Sequence, residues 1–219
     1  MPARLSLCLV LVALASRSAT AGSVDLAPAY DKAGFVARLL INEVSFPGDP
    51  CYRSEEDSMR CMLEILWVLD NRIRHIPPGY TQERVANTRT RDIIDIITAP
   101  GQVEGFYRDS DGRFTASSRV FARVDYLVQI ANEGPPGRFA RLLNHAQALA
   151  RDYFASRPAG EDKFASLRRV GRDPVTGRAF AWMTSDMPYR PGGDFISIPR
   201  QLGGAQGGNH FYTLRRGEP

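Results

Sequence analysis

The sequence of 219 residues has little of the material from which metal centres are built, because it contains only three histidines and three cysteines. The histidines, His75, His145 and His210, are far apart, and none belongs to an H-x-x-x-H pair. Zinc sites usually take their ligands from such closely spaced pairs. We therefore expect no metal ion and no other cofactor.

Long apolar runs are also scarce. The one clear run covers residues 5–15, after Arg4 and before A-T-A at residues 19–21. A basic start, a short apolar segment and an A-x-A site are typical of a secretory signal peptide. We predict a signal peptide at residues 1–21 and a single domain at residues 22–219, exported to the periplasm or the extracellular space. The run is too short to cross a bilayer as a helix, so we expect no stable membrane insertion.

The excess of positive charge is small. The net charge is +4, and Arg4 and Arg17 would leave with the signal peptide. The only lysines are Lys32 and Lys163, so nearly all basic residues are arginines spread along the chain. Such an even distribution does not predict a nucleic-acid partner. It suits an anionic polymer such as a cell wall only weakly, and protein partners are not indicated.

Cysteine usage indicates a possible cross-link. Cys8 lies in the predicted signal peptide, which leaves Cys51 and Cys61 in the exported chain. An even pair of cysteines in an oxidising compartment predicts a disulfide bond between them. The alternatives are free thiols or a metal site, and metal is the weaker one because no histidine or second cysteine pair is near.

An acidic residue continues the apolar face of the first predicted helix. Phe35, Leu39 and Glu43 fall on one stripe at helical spacing, and Pro47 follows shortly afterwards to end the helix. Desolvation and the negative end of the helix dipole both raise the pKa of such a carboxyl group. A carboxyl group with a pKa near ~6 can donate a proton to a leaving oxygen at neutral pH. Glu43 is therefore a candidate general acid, and the alternative is an ordinary amphipathic helix whose carboxylate reaches water.

Periodicity predicts an α+β fold, with helices first and strands last. Helical spacing is found at residues 31–45, from Ser54 to Pro77 behind a capping box, at 90–97 with Thr90 as N-cap, at 120–131 and at 139–153. Residues 103–118 read as a loop that mixes aromatic and polar groups. Strand patterns cover residues 179–184, 194–198 and 209–214. This order predicts a mainly helical body with a small antiparallel sheet from the C-terminal third.

Four short motifs follow one another along the chain: A-R-L-L-I-N-E at residues 37–43, V-L-D-N-R at 68–72, A-P-G-Q at 99–102 and G-N-H-F-Y at 208–212. Over residues 35–214 the chain resembles the SleB-like cell wall hydrolases, in which an A-R-x-x-x-x-E helix, a V-x-x-N-R helix, a Q-P-G-Q-F-like turn and a G-N-H-x-F/Y strand follow one another. The family commonly reads G-E-A-R-G-E around its acid. Here Val44 and Ser45 follow Glu43, and an insertion with both cysteines comes next, so the second acidic position is unmatched, although Glu55 and Glu56 are nearby in sequence.

The resemblance implies a lysozyme-like fold that acts on peptidoglycan, with Glu43 as the catalytic acid. Similar enzymes are lytic transglycosylases, which cut the link between N-acetylmuramic acid and N-acetylglucosamine and leave an anhydro end. Glycosidases normally use two carboxylates. In a transglycosylase the sugar's own C6 hydroxyl can attack, so one glutamate can serve as acid and then as base. Transglycosylation and hydrolysis by a muramidase both remain open.

Substrate-binding residues are expected on the turn, the loop and the closing strand: Gln102, Tyr107, Asn209, His210 and Tyr212. The alternative for Gln102, Asn209 and His210 is a turn or strand-end residue that satisfies backbone groups. Two other functions stay open. One is a non-catalytic wall-binding or assembly protein on a degenerate hydrolase scaffold, and the other is a peptidoglycan amidase, which the histidine spacing disfavours.

Overall fold

Helices occupy the first part of the chain and short strands the last part, as the computed structural model of residues 23–156, 158, 160–185, 187 and 190–217 describes. The predicted signal peptide lies outside the described residues. The helices are α1 (Lys32–Glu43), α2 (Glu55–Arg74), α3 (Gln82–Ala86), α4 (Ile93–Thr98), α5 (Ser118–Asn132) and α6 (Arg138–Ala155). The strands are β1 (Phe106–Arg108), β2 (Phe114–Ala116), β3 (Arg169–Val170), β4 (Asp173–Pro174), β5 (Ala181–Thr184), β6 (Phe195–Ser197), β7 (Ala205–Gln206) and β8 (Asn209–Leu214). The α+β class is confirmed.

Helices α1 and α2 begin at side chains that accept hydrogen bonds from their first turns. Asp31 Oδ1 accepts from the backbone N–H of Gly34 at 3.0 Å, and Ser54 Oγ accepts from that of Asp57 at 3.1 Å. Each bond satisfies an N–H group that has no partner within the helix. Ser54 is therefore confirmed as the N-cap of α2, but the second half of the predicted capping box is not formed, since Asp57 Oδ2 accepts from the Gly207 N–H instead.

The start of α4 differs from the prediction. Thr90 is not its N-cap, because Asp92 Oδ1 accepts from the Ile94 N–H at 2.9 Å and takes that role. Thr90 Oγ1 accepts from the Asp92 N–H and donates to Asp95 Oδ2, so it braces the approach to the helix. Asp92 directly precedes the first helical residue, and its carboxylate is the better-placed acceptor.

The residues predicted as a loop contain a β-hairpin. β1 pairs with β2 in antiparallel register, with Phe106 opposite Ala116 and Arg108 opposite Phe114. The ring of Phe35 on α1 packs against Phe106 at 5.4 Å and Phe114 at 4.9 Å between ring centroids. Strands of three residues show too little alternation to be recognised in a sequence. Helix α3 was missed for the same reason, since five residues carry no helical period.

The C-terminal sheet has the order β5-β8-β6, and β7 also pairs with β8. All its pairs are antiparallel, with Trp182 opposite Phe211 and Ser197 opposite Tyr212. The three strands predicted for this region are therefore confirmed. Strand β8 is central, and its position determines which of its side chains meet the helical body.

Helix α1 lies at the centre of the core. It packs against α2, α5 and α6, and Val36, Leu39, Leu40 and Ile41 have no exposed surface. Burying each large aliphatic side chain contributes about 1.5–3 kcal/mol. The apolar face therefore fixes the direction in which α1 ends, and with it the position of Glu43.

None of the helices in the described part of the chain combines the length and the apolar character that a membrane span needs.

A partly buried ion pair joins α2 to the chain that enters the sheet. Arg178 Nη1 lies 2.8 Å from Asp162 Oδ2, and Asn71 Nδ2 on α2 donates to the same oxygen at 3.1 Å. Asp162 also accepts from the backbone N–H of Phe164 at 2.9 Å. Its carboxylate therefore serves three donors from separate segments.

The two cysteines lie against the turn between β7 and β8. A Cβ atom on Gly207 would be 2.3 Å from the Cβ of Cys61, and one on Gly208 would be 3.3 Å from the Cβ of Cys51. Both residues are free thiols in the structure, Cys61 buried and Cys51 half-buried. The disulfide bond stays a prediction, and the turn is the common neighbour of its two partners.

We expect Asp162→Ala to lower the free energy of unfolding by about 2–3 kcal/mol, because it removes the acceptor of the Phe164 N–H and the charged acceptor shared by the Asn71 amide and the Arg178 guanidinium. Asp173→Ala is the matched control, since its ion pair with Arg215 is largely exposed. It should cost less than about 1 kcal/mol. Urea unfolding followed by circular dichroism measures both, and equal costs would contradict the expectation.

We expect protein exported to an oxidising compartment to contain the Cys51–Cys61 disulfide bond. In denaturant, its cysteines should then resist alkylation until a reductant is added. Intact-mass spectrometry of samples alkylated with and without reduction measures this. Cys51→Ser supplies the control, since its single remaining thiol should react in both samples. Full alkylation of the unreduced wild type would show that no bond forms.

Candidate active site

Glu43 is the last residue of α1, and both of its carboxylate oxygens accept hydrogen bonds. Trp182 Nε1 on β5 donates to Oε2 at 2.8 Å, and Asn42 Nδ2 donates to Oε1 at 3.0 Å. The residue is half-buried, whereas the apolar face of the helix before it is buried. The carboxyl group therefore lies where the core meets the surface, oriented from two sides.

The backbone at the end of α1 is held by the closing strand. Asn209 Nδ2 on β8 donates to the Glu43 carbonyl oxygen at 2.6 Å, and the Ser45 N–H donates to the Gly207 carbonyl oxygen at 3.0 Å. Carbonyl groups in the last turn of a helix have no partner within the helix. Asn209 is almost fully buried, so its observed contact is the backbone role given above as the alternative to substrate binding.

Burial raises the pKa of Glu43 above its ordinary value, because desolvation disfavours the carboxylate anion. The hydrogen bonds from Trp182 and Asn42 act in the opposite direction, since they favour the anion. The charge of Glu104 raises the pKa further and that of Arg123 lowers it. Desolvation is the largest of these effects, as expected from the sequence, and the net result is a carboxyl group that keeps its proton at higher pH than an ordinary glutamate.

A buried arginine lies behind the tryptophan. Arg72 on α2 donates from Nε to the Phe180 carbonyl oxygen at 2.7 Å and from Nη1 to Gln102 Oε1 at 2.9 Å. Its guanidinium carbon is 5.5 Å from the centroid of the Trp182 ring. Gln102 is therefore connected to Glu43 through Arg72 and Trp182, and its side-chain oxygen is engaged inside the protein.

Tyr107 lies on the hairpin that packs on α1. The side chain of its neighbour Phe106 is buried in the core, and Tyr107 is 45% exposed. In a strand, successive side chains point to opposite faces, which explains the difference. Tyr107 is accessible to a ligand, and no hydrogen bond joins it to Glu43 in the described part of the chain.

His210 and Tyr212 alternate along β8 with the residue that contacts Glu43. Asn209 and Phe211 alternate with them along β8, and Asn209 contacts the end of α1. His210 and Tyr212 therefore lie on the other face of the sheet. Tyr212 is buried there. The structure brings Asn209 to Glu43, and the alternation of β8 puts His210 and Tyr212 on the opposite face, so their role in substrate binding stays a prediction.

Four residues around Glu43 were missed in the sequence: Asn42, Arg72, Glu104 and Trp182. Arg72 had a signal because it belongs to the V-L-D-N-R motif, whereas Glu104 lies just outside the A-P-G-Q motif and had none. Trp182 had none, because a tryptophan in a short strand usually indicates core packing.

The two acids that were considered for a second position have other partners. Glu55 accepts two hydrogen bonds from Arg141, at 2.7 and 2.8 Å, and Glu56 accepts one from Arg60 at 3.1 Å. Glu104 is the carboxylate whose charge acts on Glu43. Its side chain is largely exposed and lies 3.9 Å from Arg119.

A second buried acid lies in a separate groove between α2 and α6. The groove has a volume of about 490 Å³, and Leu63, His145 and Lys163 are among its lining residues. It contains Glu64, whose pKa burial raises to about 7. Glu43 does not line this groove, so the chain has two separate candidates for a protonated carboxyl group.

Among the described residues, no group of three or more His, Cys, Asp or Glu side chains is arranged to hold a metal ion. Comparisons of the chain with models of protein families, with curated proteins and with solved structures found no match.

Proposed function

We propose that the chain is an exported enzyme that cuts peptidoglycan glycan strands between N-acetylmuramic acid and N-acetylglucosamine. The single observation that carries the proposal is the Glu43 carboxyl group. It is half-buried, has a raised pKa and is oriented on both oxygens, at the end of the helix where the motifs of the SleB-like hydrolases place their acid. Perturbed carboxyl groups of this kind are concentrated at catalytic sites.

In the proposed reaction, Glu43 first protonates the oxygen that bridges the two sugars. The bond between this oxygen and C1 of the muramic acid breaks, and positive charge develops at C1. The C6 hydroxyl of the same sugar then forms a new bond to C1, and the Glu43 carboxylate takes its proton. No water is consumed, and the product carries an anhydro end.

The surroundings of Glu43 suit both halves of this cycle. Burial favours the protonated carboxyl group that must donate first. The N–H groups of Trp182 and Asn42 favour the anion that exists after donation, so the carboxylate is stabilised where it must act as a base. One carboxyl group can therefore perform both steps. Glu104, whose charge acts on Glu43, is the available second carboxylate if water is the acceptor.

The proposed architecture is lysozyme-like. A buried helix that ends at the catalytic acid, with a small β-hairpin packed on its side through Phe35, supports this proposal. In this arrangement the hairpin and the A-P-G-Q turn would offer the substrate-binding groups. Tyr107 is then the accessible candidate for stacking on or hydrogen bonding to a sugar.

The second candidate function is a wall-binding protein on a degenerate hydrolase scaffold. Two predicted substrate-binding residues bond within the protein, which favours this function: Asn209 donates to the backbone of Glu43, and Gln102 accepts from Arg72. A protein of this kind would bind sacculi without releasing fragments.

We expect Glu43→Gln to lower glycan cleavage by about 10²–10⁴-fold, because the amide keeps the size of the side chain but cannot supply an acidic proton. Zymography with purified sacculi and assays of released fragments measure the loss. Glu64→Gln is the matched control, since it changes the other carboxyl group with a raised pKa and should clear the gel as the wild type does.

Equal clearing by wild type and Glu43→Gln would contradict the role of Glu43. Loss in Glu64→Gln alone would place the chemistry in the groove between α2 and α6. Binding of wild type to sacculi without any release would support the second candidate function.

We expect cleavage to fall as pH rises through the pKa of Glu43, because the general acid must be protonated when the substrate binds. Burial raises this pKa, so the fall should occur at higher pH than for an ordinary glutamate. Rates on soluble glycan strands across the pH range measure it. A rate that rises over the same range would contradict donation by Glu43.

We expect mass spectrometry of the released muropeptides to find anhydro ends, which are lighter by one water than reducing ends. Digests of the same sacculi with a muramidase that hydrolyses this bond supply the reducing-end reference. Reducing ends in the products of this chain would show that water is the acceptor and would assign the base to a second carboxylate.

A further inference from the structure

Arg72 is a buried cation that the proposed reaction does not use. It is 5% exposed on α2, and burial lowers its pKa to about 10 with no carboxylate in the described chain opposing this. Burying a charge without a counterion is costly unless other groups satisfy it. Packing alone would therefore favour an apolar side chain at this position, so the arginine points to a further role.

The contacts of Arg72 converge on the chain segment that carries Trp182. Its Nε donates to the carbonyl oxygen of Phe180, two residues before Trp182, and its guanidinium lies over the Trp182 ring. One side chain therefore holds both the backbone and the ring of the same segment. A guanidinium group over an indole face is attracted by the electrons of the ring.

The third contact of the Arg72 side chain is with the A-P-G-Q turn. Arg72 Nη1 donates to Gln102 Oε1, so the plane of the guanidinium is fixed by acceptors from two different segments. A planar group held at two edges cannot rotate, and it fixes the plane of the ring that stacks on it. The Nε1 of that ring donates to Glu43 Oε2 at 2.8 Å.

We propose that Arg72 is a positioning residue that acts through Trp182 to hold the Glu43 carboxyl group in the orientation needed for proton transfer. The proposal rests on the proposed function for its kinetic consequence. It does not make Arg72 a catalytic residue, since its guanidinium group is buried behind the indole and touches no substrate.

Loss of the Arg72 side chain should change the pKa of Glu43 in one direction. The Trp182 hydrogen bond favours the Glu43 anion and lowers the pKa of that carboxyl group, against the larger effect of burial. If Arg72 no longer holds the ring, this hydrogen bond weakens. The pKa of Glu43 then rises further, and the alkaline fall in activity moves to higher pH.

The test compares Arg72→Lys and Arg72→Met with the wild type. Lysine keeps the charge but loses the planar fork, and methionine loses both. On soluble glycan strands we expect kcat to fall about 10–100-fold, since small displacements of a reacting group are costly, and KM to stay within about twofold, since Arg72 is buried. Lysine should rescue little of the loss, because a point charge cannot fix the ring.

A second readout does not depend on activity. NMR titration of protein labelled with ¹³C-glutamate, with the Glu43 signal assigned by Glu43→Gln, follows the carboxyl group directly. Its pKa should rise in both Arg72 variants and in Trp182→Phe. In the double variant of Arg72→Lys and Trp182→Phe the two shifts should not add, because both act through one hydrogen bond.

Arg178→Lys is the matched control for a merely structural effect. Arg178 also lies beside α2, where it contacts Asp162 and Asn71, and it makes no described contact with Trp182 or Glu43. Its variant should lose stability without moving the Glu43 titration. Circular dichroism identifies any variant that fails to fold, and Arg72→Lys is the conservative change that keeps the test possible.

An unchanged Glu43 titration in folded Arg72→Lys would overturn the positioning role, whatever the activity. A pKa that rises as expected in a protein that cleaves no glycan would support the positioning role and refute the proposed function. A rise in the Arg178→Lys control equal to that in Arg72→Lys would show that the effect is not specific and would also overturn the proposal.

Discussion

The hydrogen bond from the Trp182 indole to the Glu43 carboxylate is the contact on which the site depends. It joins the end of helix α1 to the edge of the C-terminal sheet, across 139 residues of sequence. A half-buried carboxyl group without such a donor would lose the orientation that makes it useful. With the donor, the group has one preferred direction and a pKa set by two opposing effects, of which burial is the larger.

The core determines where this contact can form. Because α1 is packed against α2, α5 and α6, the position of its last residue is fixed more closely than it would be on a surface loop. The sheet reaches the same point through β8, where the side chain of Asn209 donates a hydrogen bond to the carbonyl oxygen of the last helical residue. Helix and sheet are therefore hydrogen-bonded to each other at Glu43. Just beyond it, the Ser45 N–H donates to Gly207 and the Ser58 hydroxyl donates to the Ser45 carbonyl oxygen.

Sequence reasoning worked best where a long repeat was present. The 20 residues of α2 and the buried stripe of α1 show many turns of apolar spacing, so both helices could be predicted, together with the N-cap of α2 at Ser54. The hairpin β1–β2 and helix α3 could not be predicted, because three to five residues give no period and their formation depends on packing against Phe35 and the body of the protein. Glu43 was found because its position in the stripe is unusual for an acid. Its donors were not, because the approach of Trp182 and the buried placement of Arg72 depend on contacts between distant segments.

The turn at Gly207 and Gly208 has a consequence for the whole arrangement. Both glycines have positive φ angles, and side chains there would collide with Cys61 and with Ser45. This two-residue turn acts as a fixed spacer between β7 and β8. Since strand side chains alternate, shortening this spacer and slipping β8 by one residue towards the turn would present His210 instead of Asn209 to the end of α1. An imidazole would then stand where an amide now closes the helix, so the length of this turn is as much a part of the site as any side chain that touches Glu43.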